Sequence, residues 1–336
     1  MPAMKWMQAV SYAAFGVARE VLVLGERDAP IAGPGEVLVR LATSGVNPSD
    51  VKKRAGSQPA ALAGGDLIPH SDGAGIIIAV GEGVETTRVG ERVWVYQAHF
   101  QRRFGTAAQY VAVDAQRAAR LPDNTSYAVG ACLGIPVMTA HRCVHADGGV
   151  AGQTVLVTGG AGRVGRYAIQ WARLAGARIV ATASNAADAA ECRRLGATIV
   201  VNHREPGWGK QVEQLAGGKI DRAIEVEFGA NLPELLDCLK TGGLLVTYGS
   251  AQVPEPKLPF LRMLYLDLAV RWVIVYAMPE SAKAAAIADI TRVLEAGSLD
   301  HLIGAQVPLA ETARAHELVE AGRIRGCVII DMPESP

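Results

Sequence analysis

Gly160-Ala161-Gly162-Arg163-Val164-Gly165 follows the apolar run Val155-Leu156-Val157 directly. A glycine turn between a buried strand and a helix is a place where backbone can receive a phosphate. The stretch that follows carries Val164, Ala168, Trp171 and Ala175 at helical spacing. Gly160 is expected to permit the tight turn, Gly162 to let a pyrophosphate approach the backbone, and Gly165 to let helix pack against strand. The helix start at Arg163 and Val164 adds N–H groups without helical partners and a partial positive charge. The chemistry implied is dinucleotide binding.

Two further sets of residues bear on that chemistry. The end of the next strand reads Thr182-Ala183-Ser184-Asn185. Folds selective for NAD usually place an acid there to hold the ribose 2′-hydroxyl. None stands here, so a 2′-phosphate is not repelled, and Ser184 and Asn185 can donate hydrogen bonds to it. NADPH is the expected cofactor. The same two residues also suit the cap of the following helix. The five cysteines, Cys132, Cys143, Cys192, Cys238 and Cys327, are widely spaced and form no Cys-x-x-Cys. Structural zinc needs clustered thiolates, so no metal site is expected and the thiols read as reduced and packed.

The elements that must position these groups fall into two patterns. Short apolar runs at Gln8–Tyr12, Glu36–Ala42, Gly75–Val80, Arg92–Tyr96 and Gln109–Val113 are separated by turns such as Gly33-Pro34 and Asn47-Pro48. They predict a β-rich, barrel-like or sandwich-like module. From Ser126 strands and helices alternate. Strands are expected at 154–158, 178–183, 198–202, 221–226, 244–248 and 270–276, with helices between them. Six strands with helical crossovers predict a doubly wound parallel sheet. The tail, with helices at 280–296 and 311–321 and strands near Val307 and at Val328–Asp331, breaks the alternation and is expected to return to the first module. The fold class is therefore α/β, a Rossmann sheet inserted in a β-rich domain. The expected domains are 1–126 with 277–336, and 127–276.

Composition narrows the function. The chain has 336 residues, and 33 Lys+Arg balance 33 Asp+Glu. No basic face is required, so nucleic acid is not an expected partner. The start, Met1 to Met7, lacks a charged segment followed by a long apolar run. The most apolar stretch, Leu264 to Ala277, is cut by Asp267 and Arg271, so it reads as buried structure rather than a membrane span. Cytoplasmic residence is the expectation.

The chain resembles the quinone oxidoreductases related to ζ-crystallin, within the medium-chain dehydrogenase/reductase superfamily. The resemblance rests on an ordered set of motifs over nearly the whole chain. These are Gly33 to Val39, Gly45-Val46-Asn47-Pro48-Ser49-Asp50, Pro69 to Gly75, Gly134 to Ala140, the glycine-rich loop, and Val201 to Glu205. It implies a GroES-like catalytic domain around the inserted Rossmann domain, NADPH, quinone or enone substrates, and a homodimer or homotetramer. It implies that Asn47 lines the nicotinamide and substrate cleft, that Thr139 lies near the nicotinamide, and that Gly249 and Ser250 approach the cofactor. The turn after the third strand approaches the adenosine end, which nominates His203 and Arg204. In two places the chain departs from its relatives. Asp188 stands where many carry a lysine toward the 2′-phosphate, and Lys52 where many carry a substrate-facing tyrosine.

The zinc-dependent alcohol dehydrogenases are similar in fold. Their metal-binding Gly-His-Glu segment corresponds to Pro69-His70-Ser71-Asp72, but their first cysteine falls at Gly45-Val46-Asn47. One histidine and a nearby acid are not a tetrahedral set, so His70 reads as a hydrogen-bonded loop residue. Without metal, Asn47 is expected to donate its amide N–H to a substrate oxygen, and Lys52 to stabilise the charge that hydride transfer creates. Three alternatives stay open: an NADPH-dependent enoyl reductase, a zinc-free alcohol dehydrogenase, and an NADPH-binding structural protein. The apolar sixth strand at the expected sheet edge also points to a homo-oligomer.

Overall fold

A computed structural model describes residues 5–333. Residues 1–4 and 334–336, with the outer ends of the expected domains and part of the start read for a leader, lie outside the described residues. The chain divides into two compact units. One ends at Ile135 and resumes at Ile287, and the other runs Pro136–Ala286. The expected crossings after residues 126 and 276 come earlier than these, for local reasons. The stretch after Ser126 is a short helix, Tyr127–Gly130, packed on strands of the first unit. The second crossing falls inside a continuous helix, Glu280–Glu295, rather than ahead of it.

The first unit opens with β1 (Trp6–Ser11), α1 (Ala18–Val21) and β2 (Val23–Asp28), the two strands pairing antiparallel. There follow β3 (Glu36–Val46), α2 (Pro48–Lys52), β4 (Asp72–Val80), β5 (Arg92–Val95), β6 (Tyr110–Asp114), β7 (Ala118–Arg120) and α3 (Tyr127–Gly130). β7 is too short to be marked by an apolar run, and β2 takes only the end of the run Val21-Leu22-Val23-Leu24. Asn47-Pro48, expected as a turn, is a helix start, with Asn47 at the cap and Pro48 in the first turn, where its missing N–H costs nothing. Val37, Val39, Ile77, Val93, Val95 and Val113 are buried together as one core of this unit.

The second unit alternates α4 (Met138–His145), β8 (Thr154–Val157), α5 (Arg163–Leu174), β9 (Arg178–Ala183), α6 (Ala186–Leu195), β10 (Ile199–Asn202), α7 (Trp208–Ala216), β11 (Ile220–Glu225), α8 (Phe228–Cys238), β12 (Leu239–Thr247), α9 (Phe260–Tyr265) and β13 (Ala269–Trp272). The six strands are all parallel in the order β10-β9-β8-β11-β12-β13. That is the doubly wound order, in which ligands bind outside the carboxyl ends of the strands. Leu156, Val180, Ala223 and Leu245 are buried between the helical layers, as continuous apolar strands require. The sixth strand is shorter than expected. It ends at Trp272 because its partner β12 ends at Thr247.

Helix α10 (Glu280–Glu295) carries the chain back, followed by β14 (Ile303–Pro308), α11 (Thr312–Glu320) and β15 (Cys327–Asp331). β15 pairs antiparallel with β3, with Val328 opposite Val46 and Ile329 opposite Gly45. The tail thus completes a seven-stranded sheet, in the order β14-β15-β3-β4-β5-β7 with β6 also on β3.

Candidate functional site

The glycine turn sits between β8 and α5. Gly159 takes the left-handed conformation, at φ +58, so the tight turn is made one residue before the expected Gly160. Gly160 serves packing instead. A Cβ there would lie 2.8 Å from Cys192 Sγ and 2.9 Å from Ile169 Cδ1. At Gly165 a Cβ would fall 2.3 Å from the Gly159 carbonyl oxygen, so strand and helix approach as expected. Gly162 differs. A Cβ there would meet only the Gly159 carbonyl, at 3.0 Å. Gly162 caps α5, and Arg163 and Val164 are its first residues. The turn is tied to β9, because Gly159 N donates to Thr182 Oγ1 (3.0 Å) and Gly160 N to the Thr182 carbonyl (2.9 Å).

A groove at the carboxyl ends of β9 and β10 is lined by Ala183, Asn185, Ala186, Ala189, Val201 and Asn202. Ser184 borders it half-exposed. Asn185 is committed to capping. Its Oδ1 accepts from Asp188 N at 2.9 Å and its Nδ2 donates to Asp188 Oδ2 at 2.8 Å. Asp188 is buried, its carboxylate turned back to that cap. His203 N donates to the Ala183 carbonyl (3.3 Å), which sets His203 at the end of β9. Burial first, then the Arg204 charge, lower the His203 pKa, and the Arg204 side chain is exposed. Thr139 is buried at the start of α4. Gly249 and Ser250 follow β12 and are tied to α8, with Phe228 N donating to the Gly249 carbonyl (2.9 Å) and Gly229 N to Ser250 Oγ (2.9 Å).

In the other unit, Asn47 is 3% exposed. Its Nδ2 donates to Asp72 Oδ2 at 2.9 Å, and its backbone N donates to Asp50 Oδ2 at 2.8 Å. Asp72 Oδ2 also accepts from Ile135 N at 2.8 Å. One carboxyl group therefore joins the Gly-Val-Asn-Pro segment to the Gly-Ile-Pro segment. Lys52 lies exposed at the end of α2. The lysine that turns inward is its neighbour. Lys53 is half-buried and its Nζ donates to the His99 carbonyl at 3.1 Å.

His70 is fully buried and holds a φ of +77, a strained backbone for a residue with a side chain. Its Nδ1 faces Ser44 Oγ at 2.9 Å and its Nε2 faces His316 Nε2, from α11, at 2.8 Å. Both ring nitrogens are therefore spent on protein groups, as a hydrogen-bonded loop histidine requires. Among the described residues no group of three or more His, Cys, Asp or Glu is placed to hold a metal. All five cysteines are buried, and none is in a disulfide.

Burial sets the electrostatics here. It pushes the Asp50 carboxyl up to about 7 and Asp72 well above the usual carboxylate range. It pulls His99 and His316 down to about 3 and His70 well below its ordinary value. The Lys53 pKa is lowered for the same reason. Near neutral pH the imidazoles of this cluster are neutral, the Asp72 carboxyl holds its proton, and Asp50 is close to its midpoint.

Asp72, His316 and Lys53 were not singled out from sequence as site residues. Asp72 lies inside the quoted Pro69–Gly75 motif. His316 carries no local signal, because its partner is on a strand-end loop far away in the chain.

Residues 33–123 match the family model for the alcohol dehydrogenase GroES-like domain, and residues 164–292 match that for the zinc-binding dehydrogenases. The human quinone oxidoreductase is 30% identical over 325 residues, covering 95% of each chain. The quinone oxidoreductase of Pseudomonas aeruginosa is 28% identical over 326 residues, covering 96% of this chain and 98% of that one. Among solved structures, a mycobacterial protein complexed with NADPH superposes with a TM-score of 0.86 at 27% identity, covering 97% of this chain and 100% of that one.

Proposed function

The chain belongs to the quinone oxidoreductase family of medium-chain dehydrogenases and reductases, and from that premise we propose that it transfers hydride from NADPH to a quinone or a related conjugated carbonyl. The observation that carries the cofactor half is the glycine turn. Packing occupies the space at Gly160 and Gly165, while the Gly162 face stays open. Gly162 and the backbone N–H groups of Arg163 and Val164 would hold the pyrophosphate. The groove by Ala183, Ala186 and Val201 takes the adenosine, and Ser184, His203 and Arg204 take the 2′-phosphate. Asp188, held at its own cap, does not repel it. Thr139, Gly249 and Ser250 border the nicotinamide end.

Bound there, NADPH supplies the hydride. The acceptor gains that hydride and one proton to become the hydroquinone. Quinones are already good hydride acceptors, so the protein chiefly supplies orientation and a dry site. Buried, neutral His70, His99 and His316 suit that task, because burial keeps them uncharged. Asn47 has a second amide N–H besides the one given to Asp72, and it donates to an acceptor oxygen. Lys52 stabilises the developing phenolate and delivers the proton. The zinc in the second family model's name finds no fit here. His70 spends both nitrogens on Ser44 and His316, and the cysteine partner is missing.

A homodimer or homotetramer is part of the same reading. Tyr265 (81% exposed), Phe260 (70%) and Trp272 (62%) present an apolar face on α9 and the edge strand β13. A face of that kind favours a symmetric pairing over water. Cytoplasmic residence belongs to the same proposal. Among the described residues no helix is long and apolar enough to cross a membrane.

Turnover of NADPH with a panel of quinones and enones tests the function. Quinone reduction is expected. Reduction of enones alone would make the protein an enoyl reductase, and NADPH binding without turnover would make it a binding protein.

A further inference from the structure

Beyond β12 the chain runs through exposed bends, from residue 251 to the start of α9. The first residues of that stretch do not hold themselves. Ala251 N donates to Glu227 Oε2 at 2.9 Å, and Gln252 N donates to Glu227 Oε1 at 2.8 Å. Two successive backbone N–H groups converging on one anion form a nest. Here the anion is a side chain of the same unit, reaching across from the end of β11. The neighbouring bonds run in register. Phe228 N meets the Gly249 carbonyl at 2.9 Å, Gly229 N meets Ser250 Oγ at 2.9 Å, and Ser250 Oγ donates to the Val253 carbonyl at 2.5 Å. Gly229 allows the approach, since a Cβ there would lie 2.2 Å from the Val253 oxygen.

We infer that Glu227 is a positioning residue for the cofactor-facing turn: its carboxylate fills the nest at Ala251 and Gln252 and so fixes where Gly249 and Ser250 stand. The inference rests on the NADPH reading above. Charge is the reason for an acid at this place. A carboxylate accepts two N–H bonds more strongly than a neutral group does.

An internal control exists. Glu234 makes the same kind of bond pair, accepting from Gly207 N at 2.8 Å and Gly209 N at 2.7 Å, but at the start of α7. Removing it measures what losing such a pair does to the unit in general.

The test uses the full chain as Glu227→Ala, Glu227→Gln and Glu234→Ala. Amide hydrogen exchange in cofactor-free protein reads the nest itself. Glu227→Ala should speed exchange at Ala251 and Gln252 by about 10-fold or more, the loss of a charge-assisted bond. NADPH affinity, followed by fluorescence titration, should weaken by about 5- to 30-fold on the same ground. Added acetate should restore most of it by occupying the emptied nest, and Glu227→Gln, which keeps one acceptor oxygen, should fall between. Glu234→Ala should leave both readouts unchanged. Affinity in Glu227→Ala within twofold of wild type, or an equal loss in Glu234→Ala, overturns the inference. Unchanged exchange at Ala251 and Gln252 overturns the nest. Wild-type protein that binds no NADPH defeats the cofactor reading instead, and exchange then still decides the role of Glu227 in holding the turn.

Discussion

Gly162 and Gly165 stand three residues apart in one motif, yet alanine should do different harm at each. At Gly165 the new Cβ would lie 2.3 Å from the Gly159 carbonyl oxygen and 3.0 Å from its carbon. A carbon–oxygen contact is comfortable near 3.4 Å, so the overlap is about 1 Å against backbone, which cannot rotate aside as a side chain does. Overpacking of this kind costs about 1–3 kcal/mol and at times more. For a unit of this size each kcal/mol lowers Tm by about 2–4 °C, so Gly165→Ala should melt roughly 2–12 °C early. At Gly162 the Cβ would be 3.0 Å from a single oxygen. A shift of a few tenths of an ångström relieves that, so stability should change by less than about 1 kcal/mol. The methyl would, however, stand where the pyrophosphate meets the backbone. Losing one charge-assisted N–H bond there costs about 1.5–3 kcal/mol, or about 10- to 150-fold in NADPH affinity. Melting curves and NADPH titration on both variants separate the two effects. Tight NADPH binding by a folded Gly162→Ala protein would refute the placement of the pyrophosphate. Equal melting temperatures for the two variants would refute the packing argument.

NADPH should be used in preference to NADH, and Arg204→Ala should erode that preference; kcat/KM values for both cofactors check it, and equal values in wild type would overturn the assignment of Ser184, His203 and Arg204 to the 2′-phosphate. Lys52→Met should lower kcat/KM for quinone by about 5- to 150-fold while leaving NADPH affinity alone, the effect of removing one charge-stabilising group. Light scattering should find an oligomer that Trp272→Asp converts to monomer, and a wild-type monomer of 35.3 kDa at micromolar concentration would refute the apolar-face argument. Acid should narrow the stability gap between wild type and His316→Gln. The folded pKa of His316 is depressed to about 3 by burial and then by Arg54, so its contribution is present above its unfolded value and lost as pH falls through the window below about 6.5. The gap should shrink by about 2 kcal/mol between pH 6.5 and 5 in urea titrations, because the variant lacks the group that must stay neutral.

Much of the second unit can be read from its sequence because each of its elements announces itself locally. Val155-Leu156-Val157 and Ile179-Val180-Ala181 are buried on both faces, so they are continuously apolar, and their lengths follow from the run. The misreadings come where pairing, not composition, decides. Val273 and Ile274 are as apolar as Val270, but β12 offers no partner beyond Thr247, and Ile274 stays exposed. β2 turns polar after Val23-Leu24 because it pairs with β1 alone, and even those two side chains are exposed. The glycines show the same limit at finer scale. The motif identifies three glycines, but the left-handed turn belongs to Gly159, just outside the pattern.

The first unit's cluster was harder to read because its chemistry comes from burial rather than from residue type. Asp50, Asp72, His70, His99 and His316 would be ordinary surface titrators if exposed, and nothing in their spacing says otherwise. What changes them is that β15 returns beside β3 and α11 brings His316 onto His70, a partner 246 positions away in the chain. The same packing turns Lys53 inward and leaves Lys52 in solvent, which a helical count from Asn47 does not decide, because α2 is only five residues long. The strained backbone of His70 is then intelligible. A buried imidazole with both nitrogens engaged gives two fixed contacts, and these hold a positive φ that the isolated loop would not keep. With each nitrogen already bonded to protein, the imidazole ties β3 to the returning helix and has no lone pair left for a metal.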